Sequence, residues 1–461
     1  MSPLAFEADM IVSELLPNAI TFEAIGTERW YRNHENLERL NIQAHWNVQA
    51  QCEEFVTETF LTHSKIEFLI KDLLTIEAWK TKVFPRVTDA ASGHSIKSYM
   101  ILYHEATLVN LLEILFYNKQ TVLQAEDTLV DLVDYCHRKM NYLTAWEPKE
   151  EPLDATAVNN QSNKDSLLNN YQDLNFSIAI NSLSIFRYIT DQVAEVPLSV
   201  LTRILNFNDM ICSCVYLIEC APWLQKEKNI KSGKPQYSSF ENGSWKSIAV
   251  EDMQKLGKVE AQVWLALYNL LLDNECRRKL VYTDHNKSVI LRLRPYVEPI
   301  LVDQLPVLSH VQRHLDELLI MDVPTSNPEG SSFLIEQVPE VSNEINSQCN
   351  VKELSARFKT LIKDENQGTG MNSKELAKSM AAMYDLDSLD ALLDDPKCGK
   401  CGRPAENRCS KCKCEWYCSR QCQVQAWQKH KSICVMLEES NRLKALDNAM
   451  TEKKQPKIQE L

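Results

Sequence analysis

Eight residues near the C-terminus could hold metal, and they come in pairs: Cys398-x2-Cys401, Cys409-x2-Cys412, Cys418-x3-Cys422 and His430-x3-Cys434. Thiolate and imidazole donors suit Zn²⁺ in closed tetrahedral sites, and an x2 spacing lets a tight turn aim two sulfurs at one ion. An x3 spacing puts two donors at i and i+4, on one face of a helix. Eight donors make two four-coordinate sites. Cys422 and His430 are eight residues apart, or about 12 Å along a helix at ~1.5 Å per residue, so the two x3 pairs serve different ions. Each takes one x2 pair, and spacing leaves open which. Four protein donors per ion leave no position for water or substrate, so the metal is expected to supply folding energy and not Lewis-acid catalysis. Cys414 stands too close to Cys412 for an ordinary knuckle and is set aside. A histidine among paired knuckles favours zinc over an iron–sulfur cluster.

Other reactive types are scattered. His104-Glu105 and Cys136-His137 lie in helical segments without a companion donor at i+4, and read as satisfied core or surface residues. Cys212, Cys214 and Cys220 lie among Met210, Ile211, Val215 and Leu217, where thiols behave as small hydrophobes. His310 and His314 have helical i, i+4 spacing but no third donor nearby. No P-loop, GxGxxG, GxSxG or HExxH occurs.

The chain has 461 residues, 44% hydrophobic and 25% charged, with 10 glycines. That is room for about two to four domains and a sizeable core, and so few glycines favour helix over an all-β fold. The net charge of −13 is uneven: Cys398 to Cys434 holds eight Lys/Arg against Glu406 and Glu415, formally +6, leaving −19 for the rest. An acidic body repels a phosphate backbone, so nucleic acid is not an expected partner. Glu7, Asp9 and Glu14 interrupt the first apolar stretch, so no signal peptide is read there. The longest uncharged apolar run, Val263 to Leu272, is ten residues, short of the ~20 that span a bilayer. Membrane insertion is not expected. Fifteen cysteines without an even framework outside the cluster suggest a reducing compartment, and a cytoplasmic protein.

What must position the cluster is mostly α-helical. Ile66 to Val83, Tyr99 to Tyr117, Ala125 to Trp146, Tyr171 to Val193, Val250 to Leu272 and Pro299 to Ile320 all have helical periodicity. In the third of these, Leu129, Leu132, Val133, Cys136, Met140 and Leu143 form one apolar stripe. Strand signals are weak, and helices packed pairwise suggest an armadillo- or HEAT-like solenoid over residues 1–321, although no clean repeat of 40 to 47 residues is found. Two mobile insertions are expected, near 147–170 and near 226–247; the second reads as a long loop that packs through Tyr237, Phe240 and Trp245. Residues 322–395 read as a linker with amphipathic helices, 396–436 as the zinc module and 437–461 as a charged tail.

The run Tyr417-Cys418-Ser419-x2-Cys422-Gln423-x3-Trp427-x2-His430-Lys431-x2-Cys434 resembles the MYND-type zinc finger at all eight ligand positions. The resemblance implies an interleaved pairing: Cys398, Cys401, Cys418 and Cys422 on one zinc, Cys409, Cys412, His430 and Cys434 on the other. It also implies a shallow groove for short, often proline-containing peptides at Ser419, Gln423 and Trp427, while Trp416 and Tyr417 pack, and Trp427 reads equally well as core. MYND fingers occur in SET-domain methyltransferases too, but inserted in the catalytic domain; here the Asn-His-x-Cys cofactor segment is missing, and no enzyme activity is expected.

The body adds a second resemblance. The segments His34 to Ala44, His104 to Glu113, Ala125 to Lys139, Arg187 to Asp191, Val263 to Leu272 and Val302 to Pro306, with Cys409 to Gln423 behind them, are similar to a family of MYND-finger proteins that assemble axonemal dynein arms for motile cilia. That resemblance implies a non-enzymatic cytoplasmic adaptor or co-chaperone, enriched apically or near the centrosomes and basal bodies of ciliated cells. Its implied partners are a leucine-rich-repeat dynein assembly factor, the heat-shock chaperone machinery, and dynein chains as clients. The alternative is a nuclear MYND corepressor, which no basic cluster of five or more residues supports.

Overall fold

The structure, a computed structural model, describes residues 5–15, 20–87, 96–147, 163–228, 235–241, 243–322 and 338–366, and near the C-terminus 398, 400–401, 405, 407–411, 416–427, 430–431 and 434. The chain divides into two compact units, Met1–Leu376 and Ala377–Leu461.

The first unit begins with α1 (Ala5–Ser13), α2 (Glu28–Gln49), α3 (Phe55–Thr62), α4 (Ile66–Lys82), α5 (Phe84–Val87), α6 (Ile96–Phe116), α7 (Lys119–Gln124), α8 (Thr128–Thr144) and α9 (Asn163–Thr190). Then come α10 (Leu198–Thr202), a π-helical turn (Arg203–Phe207) and α11 (Met210–Cys220). After a small sheet follow α12 (Lys258–Leu272), α13 (Asn274–Lys279), α14 (Asp284–Leu291), α15 (Pro299–Gln304), α16 (Leu308–Ile320), α17 (Glu340–Gln348) and α18 (Val351–Asn366).

Local chemistry sets many of the boundaries. Thr27, Asn118 and Asp273 accept hydrogen bonds from the first free amides of α2, α7 and α13, and Thr283 with Asn286 closes a capping box on α14. The stretch Pro299 to Ile320 is two helices, because Pro306 has no N–H to continue the first. Val250 to Leu272 is likewise divided, a 3₁₀ turn over Val250–Gln254 preceding α12. α9 starts at Asn163, so the end of the expected insertion at 147–170 is helical; residues 148–162 lie outside the described residues.

The body is mostly helical, as expected. α9, at 28 residues the longest of these helices, lies against α6, α8 and α12, and α6 packs in turn on α2 and α4. Trp30, Tyr135, Phe186 and Trp264 are fully buried in this core. Helices ranging from 4 to 28 residues and gathered about α9 do not show a repeating armadillo or HEAT unit. Among the described residues no helix is long and apolar enough to cross a membrane.

Two expectations need correcting. Residues near 226–247 form an antiparallel sheet, β1 (Leu224–Lys228), β2 (Pro235–Glu241) and β3 (Ser244–Ile248), in order β1-β2-β3. Glu241 pairs with Ser244 across a two-residue connection whose Gly243 has φ +77°, a conformation that glycine adopts without strain. Phe240 and Trp245 pack as expected, in a cluster with Phe176 of α9 and with Trp146, which follows α8. Tyr237 instead lies under the Lys226 ammonium, 5.9 Å from its ring centre.

The second concerns residues 322–395, read as a linker with amphipathic helices: helices are present over Glu340–Gln348 and Val351–Asn366, and they dock on the body. Within them, α17 lies against α4 and α8, and α18 against α5. Leu354 and Phe358 are buried, and the Phe358 ring meets Trp79 edge-on at 4.9 Å between centroids. The Asp131 carboxylate on α8 accepts from the Ser342 amide at 2.8 Å and so caps the N-terminus of α17 from across the interface. Arg357 donates to the Glu23 and Ile25 carbonyls. These two helices form a strap on the body.

Candidate metal centre

In the second unit a two-residue ladder pairs Asn407–Arg408 with Trp416–Tyr417, and residues 420–427 are helical, with helical turns again at 430–431 and 434. Ser419 caps that helix, its hydroxyl accepting from the Cys422 amide at 3.3 Å. Tyr417 is buried with Cys398, Ala405, Cys409 and Cys434, and Trp416 packs beside them. The described residues of this unit bury little apolar surface, and a fold this small needs another source of stability.

The cysteines and the histidine gather into two groups. Cys398, Cys401, Cys418 and Cys422 form one, and Cys409, His430 and Cys434 the other; the ligand atoms of each lie within 4.8 Å of one another. In the first, the Sγ atoms of Cys401, Cys418 and Cys422 are 3.5, 3.6 and 3.9 Å apart. In the second, Cys409 Sγ is 3.8 Å from Cys434 Sγ and 3.4 Å from His430 Nε2. A tetrahedral zinc with Zn–S of ~2.3 Å sets sulfurs about 3.8 Å apart, and sulfur and nitrogen about 3.5 Å apart. The donors therefore fit two zinc ions. Cys412 and Cys414 lie outside the described residues.

Electrostatics also call for a cation. Burial works to raise the Cys398 thiol, yet amide donors from Cys418, Lys400 and Cys401 bring it down to about 6. Cys418, by contrast, is pushed up to about 12 by its hydrogen bonds with Cys401 and Cys422. Several thiolates share this volume only when a metal neutralises them.

Of the residues expected to line a groove, Ser419 and Gln423 are half-buried and Trp427 is 39% exposed. The Trp427 ring also touches His430, at 6.0 Å between centroids, so it both supports the metal centre and faces solvent.

The residues set aside elsewhere are satisfied, but by partners that sequence spacing did not show. His104 Nε2 meets Asp72 at 3.0 Å and its Nδ1 meets His34 Nδ1 at 2.9 Å, a buried chain joining α4, α6 and α2. Burial first, and then the neighbouring His104, hold the His34 imidazole well below its ordinary pKa. Glu105 is bound by Lys80 at 2.5 Å, Lys139 at 2.7 Å and Tyr135 at 2.8 Å. Burial would raise its carboxyl, but the Lys139 and Lys80 ammoniums outweigh that and hold it well below the carboxylate range. Burial pushes the Cys136 thiol up to about 12, and Cys212 and Cys214 are raised by the same cause, so none is poised as a nucleophile. His314 is buried against Tyr282 while His310 is exposed, and they do not form a metal pair. Among the described residues, the groups able to hold a metal ion are the two in the C-terminal unit.

Comparison with known proteins agrees with this geometry. Residues 398–434 match the family described as the MYND finger. The chain is 26% identical over 444 residues to the "Zinc finger MYND domain-containing protein 10 homolog" of Drosophila melanogaster, covering 89% of this chain and 94% of that one. No solved structure matches it. Residues 398–434 are thus a MYND finger suited to two zinc ions, carried by a chain similar along most of its length to that MYND-domain protein 10 homolog.

Proposed function

We propose that this chain is a non-enzymatic cytoplasmic adaptor for the preassembly of axonemal dynein arms. The helical body docks dynein chains as clients together with heat-shock chaperones, and the finger clamps a segment of a leucine-rich-repeat assembly factor. Cys398, Cys401, Cys418 and Cys422 hold one zinc, and Cys409, Cys412, His430 and Cys434 the other, with Ser419, Gln423 and Trp427 on the peptide side. Four protein ligands around each ion give zinc a structural task. The observation that carries the reading is the reach of the similarity, which runs through the body as well as the finger.

Affinity capture from ciliated-cell cytosol tests it, with the intact chain beside Cys401→Ala and Cys409→Ala. The intact chain is expected to retain dynein heavy chains and assembly factors. The variants lose zinc and the finger's partner, while the circular dichroism of the helical body stays nearly unchanged. Failure of the intact chain to retain any dynein chain or assembly factor overturns the reading.

A further inference from the structure

The strap occupies a seat on the body that it fills incompletely. α17 meets α4 and α8 through one side, where Val341, Ser342, Ile345 and Asn346 stand at i, i+1, i+4 and i+5. Val341 and Ile345 are only half-buried against the core, and α17 has no fully buried residue.

Two side chains of the body read this helix. Asp131 on α8 is 1% exposed, and its carboxylate accepts from the Ser342 amide at 2.8 Å. α17 starts after Pro339 with no side-chain cap of its own, so the body supplies what an N-cap residue would. One turn further on, Lys82 at the end of α4 donates to the Asn346 side-chain oxygen. That pairing is mismatched in charge. Among the described residues the half-buried Lys82 makes no ion pair, and the group it meets is neutral. Trp79, three residues earlier on α4, meets Phe358 of the strap, yet its buried Nε1–H has no acceptor among the described residues. A charge-assisted hydrogen bond is roughly twice as strong as a neutral one. A carboxylate at the place of Asn346 therefore suits Lys82 better than the strap's own side chain does, and Asn346 is exposed, which leaves room for it.

We propose that the seat of α17 is a receptor for a partner's short amphipathic helix, with apolar residues at the places of Val341 and Ile345 and Asp or Glu at that of Asn346, and that this helix displaces α17. Charge complementarity with Lys82 selects the occupant, and the Asp131 carboxylate fixes which end of it enters first. The inference goes beyond the adaptor reading, because it places a partner on the body and not on the finger. Its assay uses purified chain and synthetic peptides, so its failure leaves the result of capture from cytosol untouched.

The test uses fluorescein-labelled peptides of residues 338–348 in three forms: the parent sequence, N346E and N346K. The receptor is the full zinc-loaded chain, either intact or as V341D/I345D, whose changes lie in α17 and leave the seat unaltered. Anisotropy is expected to show the parent peptide binding V341D/I345D, with N346E about three- to fivefold tighter and N346K weaker, the scale of a partly exposed ion pair. The advantage of N346E should shrink as salt rises from 50 to 300 mM. The intact chain should bind all three at least tenfold more weakly, because its tethered α17 competes at high effective concentration. In the V341D/I345D background, K82Q should level the three peptides and K82E should reverse the order of N346E and N346K.

Equal binding to the intact and V341D/I345D chains would put the peptides elsewhere and overturn the proposal. An order that K82E leaves unchanged overturns it too. A parent peptide that binds as tightly as N346E overturns it in favour of exchange of α17 between copies of this chain.

Discussion

Phe358→Ala should release the strap without unfolding the body. The ring is 3% exposed and lies edge-on to Trp79, and truncating a buried phenylalanine costs about 3–5 kcal/mol. Beside it, α17 and α18 are held by the Asp131 cap, the Arg357 hydrogen bonds and half-buried side chains such as Val341 and Ile345. α17 has no buried residue, and Leu354 and Phe358 are the buried apolar anchors among the described side chains of α18. At about 1.5–3 kcal/mol each they supply roughly 3–6 kcal/mol before ordering entropy is subtracted. Removing one of them therefore cancels most of the net docking energy. The core around α9, built from other side chains, is untouched. Hydrogen exchange read by mass spectrometry should show amide protection over 340–360 falling about a hundredfold, since ~1.4 kcal/mol is a factor of ten. Protection in α9 should stay within about threefold of the parent. An equal loss in both regions would mean that strap and core open as one unit, and would refute the reasoning.

Two further outcomes follow from the buried polar groups. Glu105→Gln leaves the Lys80 and Lys139 ammoniums facing each other without their carboxylate, and should cost about 3–5 kcal/mol in urea unfolding; a loss below about 1 kcal/mol would show that water reaches these groups. His34 stays neutral in the folded chain because burial lowers its pKa, so its contribution is fully present above pH ~6.5 and is lost as pH falls, at up to about 1.4 kcal/mol per pH unit. Unfolding measured at pH 7, 6 and 5 should show a slope that His34→Gln reduces by that amount, and an identical slope in the variant would count against it.

The metal donors were legible in the sequence because zinc knuckles impose short fixed spacings, and Cys398-x2-Cys401 is a local statement. How knuckles and x3 pairs combine is a long-range one, which spacing left open. The helices of the body were visible through stripes such as Leu129 to Leu143, but their mutual arrangement was not. The sheet went unread although Asn242-Gly243 stands between Phe240 and Trp245, a strong hairpin signal hidden by short strands and polar neighbours. The strap was visible as an amphipathic pattern. What it covers was not, since Trp79 and Asp131 lie more than two hundred residues from the residues that meet them. Glu105 likewise looked ordinary because Lys80 and Lys139 come from other helices.

The crossing of the two metal groups has a consequence for how the finger fills. One group ties Cys401 to Cys418 across 17 residues, and Cys409 lies inside that loop; the other ties Cys409 to His430 across 21 residues, and Cys418 and Cys422 lie inside it. Whichever ion arrives first shortens the free chain between the other ion's ligands, and so lowers the entropy its closure still costs. At about 0.6 kcal/mol for each halving of a loop, the first ion favours the second by a factor of a few, and the two sites are expected to fill together more often than independent sites would.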